Sequence, residues 1–161
     1  MKKAENNSQT ENKDKIVVTD GAHPDFVYLA GLLDEYYFER FGADSIKYRP
    51  YNNPQTIHDV VVLYEDGKPV ACGGFREFDG DTVEIKRLLV LPEHRRKGLA
   101  GRLMALLEGR AKEKGYTAIV LETGVVMDDA LAFYRSMGYE KTESYGQYIG
   151  DEDCVCLRKS L

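Results

Sequence analysis

Apolar residues fall into short β-prone runs and longer helical stripes along the chain. The runs are rich in Val, Ile, Leu and Tyr and are separated by turn residues, which is typical of strands. Asp66-Gly67, between two such runs, is a strong signal for a two-residue hairpin turn. The predicted strands cover residues 15–19, 59–64, 69–75, 82–91, 118–122, 139–148 and 154–158.

Three other stretches carry apolar residues at the spacing of an amphipathic helix. The first follows Pro24, which suits the first turn of a helix, and it ends at Gly42. The second ends at Gly115, and the third runs from Asp128, a predicted N-cap, to Gly138. The apolar stripes are Phe26, Leu29, Ala30, Leu33 and Tyr37; Leu99, Leu103, Leu106, Leu107 and Ala111; and Ala130, Phe133, Tyr134 and Met137.

The order of these elements predicts one α+β domain with a mixed, mostly antiparallel central sheet flanked by helices. Residues 1–14 are almost entirely polar and predict a disordered tail, so the folded domain is expected to cover residues 15–161. Residues 45–57 contain Pro50 and Pro54 together with asparagines, and we expect a loop there.

Composition narrows the class of protein. The 161 residues carry a net charge of −5, which argues against a general nucleic-acid-binding protein. No run approaches the ~20 apolar residues that a membrane-spanning helix needs, and the start lacks the apolar segment of a secretory signal. Three cysteines without a paired framework fit a reducing compartment. We therefore expect a cytoplasmic protein that binds neither nucleic acid nor a membrane.

The most informative stretch is the predicted strand 82–91, which runs into a basic, glycine-containing turn and then into a helix. This arrangement points the first N–H groups of the helix, and its positive dipole end, at one spot. Gly98 removes a side chain where a ligand would approach the backbone, while Arg95, Arg96 and Lys97 add positive charge. These features favour a cradle for a pyrophosphate. The alternative is a solvated basic turn before a helix.

Residues in this turn carry a family resemblance. Arg95-x-x-Gly98-x-Ala100 resembles the Gln/Arg-x-x-Gly-x-Gly/Ala signature of the GNAT N-acetyltransferases, and Pro92 stands where that family places it. The resemblance covers roughly residues 15–161 and continues through residues 121–123, 130–139 and 156–159. It implies the GNAT acyl-CoA N-acyltransferase fold.

The resemblance also implies acetyl-CoA as cosubstrate, bound in a V-shaped gap between two splayed central strands. Leu88, Leu89 and Val90 would offer backbone groups to the pantetheine arm and polarise the thioester carbonyl. An amine acceptor, either a small molecule or a peptide or protein amino group, would enter from the opposite side, near the first helix and residues 45–57. The residues implied in holding the pyrophosphate are Arg95, Arg96, Lys97, Gly98, Leu99, Ala100 and Gly101.

Transfer to an amine needs a proton acceptor, because an amine is protonated at neutral pH and must lose a proton before it attacks a thioester. Glu84 and Glu122 are the candidates, each on a strand beside the expected thioester. Glu122 matches the general base of ribosomal-protein alanine acetyltransferases, and other family members use a glutamate on the strand of Glu84. For either residue the alternative is a structural salt bridge.

The departing thiolate benefits from a proton donor, and Tyr134 matches the tyrosine acid of the family. The alternative role for Tyr134 is that of a core aromatic residue on an amphipathic helix. Family members often carry Asn shortly before this helix to bind the pantetheine. In this chain the corresponding residue is Met127, although Asp128 could substitute for it or cap the helix.

No metal site is predicted. His23, His58 and His94 are scattered, and Cys154 and Cys156 alternate on one strand, a spacing that does not suit a four-ligand zinc site.

Two functions therefore remain open. The first is acetyl transfer to an amine, and the second is a non-catalytic acyl-CoA-binding regulatory module with the same fold. The presence of Glu84, Glu122 and Tyr134 together counts against the second. Exposed closing strands would also suit a homodimer.

Overall fold

A seven-stranded mixed sheet forms the centre of the computed structural model, which describes residues 14–161. The strands are β1 (Asp14–Thr19), β2 (Asp59–Glu65), β3 (Lys68–Glu77), β4 (Thr82–Val90), β5 (Ala118–Gly124), β6 (Glu140–Lys141) and β7 (Cys154–Ser160). Their order across the sheet is β1-β2-β3-β4-β5-β7-β6. All neighbouring strands are antiparallel except β4 and β5, which are parallel.

Three α-helices cover the sheet: α1 (Pro24–Phe41), α2 (Leu99–Glu113) and α3 (Asp128–Ser136). The alternation of side chains along β2 separates two apolar cores, because successive residues of a strand point to opposite faces. Val60 and Val62 pack with residues of α1 on one face. Val61 and Leu63 pack with residues of α2 and α3 on the other. The α+β fold expected from the sequence is thus confirmed.

The ends of the helices follow from local chemistry. The Nδ1 atom of His23 accepts a hydrogen bond of 3.2 Å from the N–H of Asp25, which caps the start of α1. Gly42, with a φ of 65°, ends α1 as predicted. Four short 3-10 segments connect other elements: Gly42–Asn52, Pro54–Thr56, Pro92–His94 and Gly146–Tyr148.

Three sequence predictions need correction. The predicted strand 139–148 is wrong beyond Glu140–Lys141, because Tyr148 turns inward and is fully buried instead of pairing along the sheet. Asp128 is not the N-cap of α3 but its first helical residue, and Met127 occupies the cap. The stretch 45–57, expected to be a loop, consists mostly of 3-10 turns.

The tail predicted for residues 1–14 lies outside the described residues except for Asp14, which begins β1. Within residues 14–161, no helix is both long enough and apolar enough to cross a membrane.

Candidate active site

The parallel strands β4 and β5 separate partway along their length. They pair through Thr82 with Ala118, Val83 with Ile119, and Glu84 with Val120. Beyond that point β4 continues to Val90 and β5 to Gly124, with no further pairing between them among the described residues. The two strands therefore open a gap in the middle of the sheet, with free backbone edges on both sides.

A β-bulge lies in β4 just beyond the residues that pair with β5. Gly74 of β3 pairs with Lys86, whereas Cys72, two residues earlier, pairs with Leu89, so β4 contains one extra residue. Arg87, in the bulge, has a φ of 59°, a left-handed conformation that is uncommon outside glycine. The implied cofactor contacts at Leu88, Leu89 and Val90 lie immediately beyond this bulge, along the part of β4 that β5 leaves unpaired.

The bulge turns two consecutive cationic side chains toward α1 and the segment Gly42–Asn52. Lys86 Nζ lies 3.1 Å from Asn52 Oδ1, and Arg87 Nε donates to the Asn52 carbonyl at 3.0 Å. Arg87 also pairs with Asp34 of α1 at 2.7 Å. Regular strand alternation would place Lys86 and Arg87 on opposite faces, so the sequence does not predict this pair. A bulge without glycine leaves no recognisable sequence signal.

Glu84 lies deep in the sheet and is surrounded by bonded partners. It is 2% exposed. Arg76 Nε lies 3.1 Å from one carboxylate oxygen, and Lys86 Nζ lies 3.4 Å from the other. The Tyr145 hydroxyl donates to Glu84 at 2.7 Å. These contacts fit the salt-bridge alternative for Glu84 and occupy both of its carboxylate oxygens.

Glu122 has different surroundings. It lies on β5 where the gap opens, two residues beyond the Glu84–Val120 pair. Burial raises its pKa, while the Cys154 thiol, as hydrogen-bond partner, and the charge of Lys86 act in the opposite direction. A carboxylate whose pKa is raised toward neutrality is a better proton acceptor at physiological pH than an ordinary surface carboxylate. Glu122 thus differs from Glu84 in having a raised pKa and no ion pair among the described residues.

Tyr134 lies on α3, where its ring packs against Phe133 and Tyr139 with centroid distances of 5.3 and 5.9 Å. Burial raises the pKa of its hydroxyl, and the neighbouring Tyr37 and Glu122 raise it further. The hydroxyl thus stays protonated over the physiological range and can donate a proton.

Tyr37 of α1 is also influenced by the charge of Glu122. Its pKa is raised to about 12, mainly by burial and then by Glu122, while Arg87 lowers it. Tyr37 belongs to the apolar stripe predicted for the first helix, and its helical spacing carries no signal that separates a packing tyrosine from one that faces a reaction site.

The turn between β4 and α2 has the features of an anion cradle. Gly98 has a φ of 77° and caps α2 without a side-chain hydrogen bond. A Cβ atom added at Gly98 or Gly101 would meet nothing within 4 Å, so the approach to this helix end is open. The first intrahelical bond runs from the Arg102 N–H to the Gly98 carbonyl, which leaves the N–H groups of Leu99, Ala100 and Gly101 free of such bonds.

The three basic residues of the turn differ in their contacts. Arg95 Nε donates to the Val90 carbonyl at 3.1 Å, and Lys97 pairs with Glu65 at 3.1 Å. Arg96 adopts a φ of 64° and forms no ion pair within the described chain. Of these three residues, only Lys97 is paired with a carboxylate among the described residues, and Arg95 is held by a backbone carbonyl.

The turn before α3 is held by a backbone hydrogen bond of Met127. Met127 caps α3, and its N–H donates to the Gly124 carbonyl at 3.0 Å. Its thioether side chain offers no amide group of the kind that family members supply through Asn at this place. Among residues 14–161, no group of three or more His, Cys, Asp or Glu side chains is placed to hold a metal ion, and the absence of a metal remains a prediction.

Comparisons with known proteins agree with this geometry. The profile of the Acetyltransferase (GNAT) family matches residues 26–139. An IAA acetyltransferase from Azospirillum brasilense is 31% identical over 102 residues, which are 63% of this chain and 67% of the relative. The chain spans about two thirds of the length of the bacterial relatives it matches.

Solved structures show the same fold. A Klebsiella pneumoniae protein assigned to the acyl-CoA N-acyltransferases has a TM-score of 0.76 and 25% identity, covering 92% of this chain and 97% of that one. A GNAT family acetyltransferase from Elizabethkingia anophelis, solved with acetyl-CoA bound, has a TM-score of 0.67 and 19% identity, covering 94% and 100%. With its splayed strands and its matching signature, this chain belongs to the GNAT family of acetyltransferases.

Proposed function

We propose that this protein transfers an acetyl group from acetyl-CoA to a primary amine. The observation that carries the proposal is the end of β4–β5 pairing at Glu84 and Val120, with Glu122 beside the opened gap. The acetyl-CoA bound to the Elizabethkingia relative supports the choice of cosubstrate.

The residues present fit this cosubstrate. The free N–H groups at Leu99 to Gly101 and the charge of Arg96 suit a pyrophosphate, and the open space at Gly98 leaves room for it. Arg95 and Lys97 add positive charge nearby. The unpaired edge of β4 at Leu88 to Val90 provides N–H and C=O groups for an amide-containing arm and for the thioester carbonyl.

The proposed reaction is a direct attack. Glu122 removes a proton from the acceptor ammonium, either directly or through a water molecule. The amine nitrogen then forms a bond to the acetyl carbon, the carbon–sulfur bond breaks, and the nitrogen loses its second proton to water to give the neutral amide. Tyr134 donates its hydroxyl proton to the departing sulfur and regains a proton from solvent or from Glu122. Glu84 is assigned a structural role, because two cations and the Tyr145 hydroxyl occupy its carboxylate.

Two measurements test the proposal. Titration calorimetry should detect binding of acetyl-CoA to the purified protein, and thiol release from acetyl-CoA should depend on an added primary amine. Binding of acetyl-CoA without amine-dependent thiol release across a broad amine panel would instead favour the non-catalytic module. Absence of binding would refute both functions.

A further inference from the structure

A cavity of about 420 Å³ lies on the same face of the sheet as Glu84, outside the gap between β4 and β5. We call it the Arg76 cavity. It is lined by Thr56, His58, Arg76, Glu77, Phe78, Glu84, Tyr145, Gly146 and Gln147. None of these residues has a chemical role in the proposed transfer, so the cavity needs an explanation of its own.

Arg76 presents unused donors to this cavity. Its Nε atom donates to Glu84, and its Nη1 atom lies 3.4 Å from the Thr56 hydroxyl. Within residues 14–161, the Nη2 atom has no hydrogen-bond acceptor, and the side chain is 27% exposed. A guanidinium has five N–H donors in a planar fork that matches a carboxylate. Arg76 is therefore held in place through one edge while another remains available to a ligand.

Gln147 adds a second donor. Its Nε2 atom is shielded from water and forms no well-aligned hydrogen bond in the described structure, although the side chain acts on the Tyr148 hydroxyl as a hydrogen-bonding group. A buried polar group without a partner is unfavourable, and such groups in folded proteins usually have one. Gln147 lines the same cavity as Arg76. An oxygen atom that enters the cavity would satisfy this orphaned amide.

The walls of the cavity are aromatic. Phe78 and Tyr145 pack edge to face with their centroids 4.8 Å apart, and Phe78 is 41% exposed. Such walls suit an apolar stem next to a polar group. A ligand with a carboxylate on an aromatic or aliphatic stem would contact both the donors and the rings.

The charge balance favours a single carboxylate over a multiply charged anion. Glu84 is neutralised by Arg76 and Lys86, and Glu77 adds a negative charge at the exposed rim. The Glu77 carboxylate would repel a doubly charged phosphate more strongly than it would repel a singly charged carboxylate. Arg76 and Lys86 already cancel the charges of Glu84 and Glu77, so one bound carboxylate leaves a single net negative charge, whereas a doubly charged phosphate would leave two.

The cavity lies within reach of the proposed general base. Arg76 pairs with Glu84 on the neighbouring strand, and Glu84 pairs with Val120, two residues before Glu122. From strand spacing and rise, a ligand bound at Arg76 would extend roughly 7–10 Å to reach Glu122. This is about the length of two to three extended residues.

We propose that the Arg76 cavity binds a carboxylate of the acceptor, so that the acceptor class is a short peptide or similar molecule with its amine and carboxylate two to three residues apart. This inference rests on the proposed acetyl transfer for its choice of ligand. The carboxylate accepts hydrogen bonds from Arg76 and Gln147, its stem packs on Phe78 and Tyr145, and the amine reaches Glu122.

The test compares the tripeptide Gly-Gly-Phe with its C-terminal amide, using calorimetry and amide NMR shifts in the absence of acetyl-CoA. The acid should bind at least 10-fold more tightly than the amide and shift the signals of Phe78, Tyr145 and Gly146. Arg76→Gln should abolish this preference. Lys68→Gln, which removes a charge at the opposite end of β3, should retain it.

Because Arg76→Gln also frees Glu84, Gln147→Glu provides a second variant that places a repelling carboxylate in the cavity and leaves the Arg76–Glu84 pair intact. It should also abolish the preference for the acid. Equal binding of acid and amide to the wild type, or a preference that survives Gln147→Glu, would overturn the proposal.

Thiol release from acetyl-CoA with the same two peptides separates the two proposals. Preferential binding of the acid without any amine-dependent release would refute acetyl transfer and leave the carboxylate site standing. Release with both peptides at equal kcat/KM, and without preferential binding, would refute the carboxylate site and leave acetyl transfer standing.

Discussion

Glu84 and Glu122 lie on the same face of two neighbouring parallel strands, yet their carboxylates have opposite surroundings. Glu84 is ion-paired with Arg76 and Lys86 and bonded to Tyr145. Glu122 forms no ion pair within 4.0 Å among the described residues, and burial raises its pKa. This contrast is the basis on which we propose a structural role for Glu84 and a proton-accepting role for Glu122.

Replacing Glu84 by Gln should mainly reduce stability. The change leaves the buried Lys86 and the half-buried Arg76 without their counter-ion, and breaking such a pair costs about 3 kcal/mol. Chemical denaturation measures this loss. Glu77→Gln, on the exposed end of β3, serves as the matched control and should change stability little. An unaltered denaturation midpoint for Glu84→Gln would show that the ion pairs contribute nothing.

Glu122→Gln should stabilise the protein at high pH. The folded-state pKa of Glu122 is raised by burial, so its contribution to stability is fully present at low pH and is lost as pH rises through the folded pKa. Gln avoids the buried charge. Thermal unfolding at about pH 5 and about pH 8 should therefore give a midpoint difference, variant minus wild type, that grows with pH. A difference that shrinks with pH would contradict the raised pKa.

Tyr134→Phe removes the proposed proton donor and keeps the ring packing against Phe133 and Tyr139. We expect kcat to fall by roughly 10²-fold, the usual scale of general acid catalysis, with little change in acetyl-CoA affinity. Steady-state kinetics and calorimetry on the same preparation measure both quantities.

Tyr139→Phe is the control for this variant. It removes a hydroxyl that bonds to Glu108 at 3.0 Å, and it should cost about 1 kcal/mol of stability without an equal loss of kcat. If Tyr134→Phe folds and keeps kcat within about twofold, Tyr134 is a packing residue, since general acid catalysis contributes far more.

Gly98→Asp should abolish acetyl-CoA binding. The added carboxylate would stand where the phosphates are expected, at a helix start that favours anions. Gly98→Asn has nearly the same shape and tolerates a positive φ about equally well, but it carries no charge. Calorimetry should therefore show a much greater loss of affinity for Asp than for Asn. Equal affinities for the two variants would place the pyrophosphate elsewhere.

Sequence patterns were sufficient for much of the fold and for locating the turn in which the cradle is proposed. The basic turn before α2 could be recognised because Gly98 and its neighbours combine a local signal of charge, small size and a helix start. The same holds for the helix end at Gly42, where the glycine adopts the expected positive φ.

The surroundings of the glutamates could not be predicted in this way. The bulge at Arg87 shifts the side-chain alternation of β4, and the sequence has no glycine at this position that would indicate a bulge. Tyr145 and Tyr148 fitted a strand pattern, but they bury their rings around Glu84 and Lys86. Both features depend on contacts between residues more than 30 positions apart, which local periodicity does not report.

The most direct test of the account is amine-dependent thiol release from acetyl-CoA by the wild type and by Glu122→Gln, with acetyl-CoA affinity measured alongside. The account predicts that the wild type releases thiol in proportion to added amine. The variant should bind acetyl-CoA equally well but turn over roughly 10²-fold more slowly, because it lacks the general base. Wild-type turnover by Glu122→Gln, or no amine-dependent release by the wild type, would contradict it.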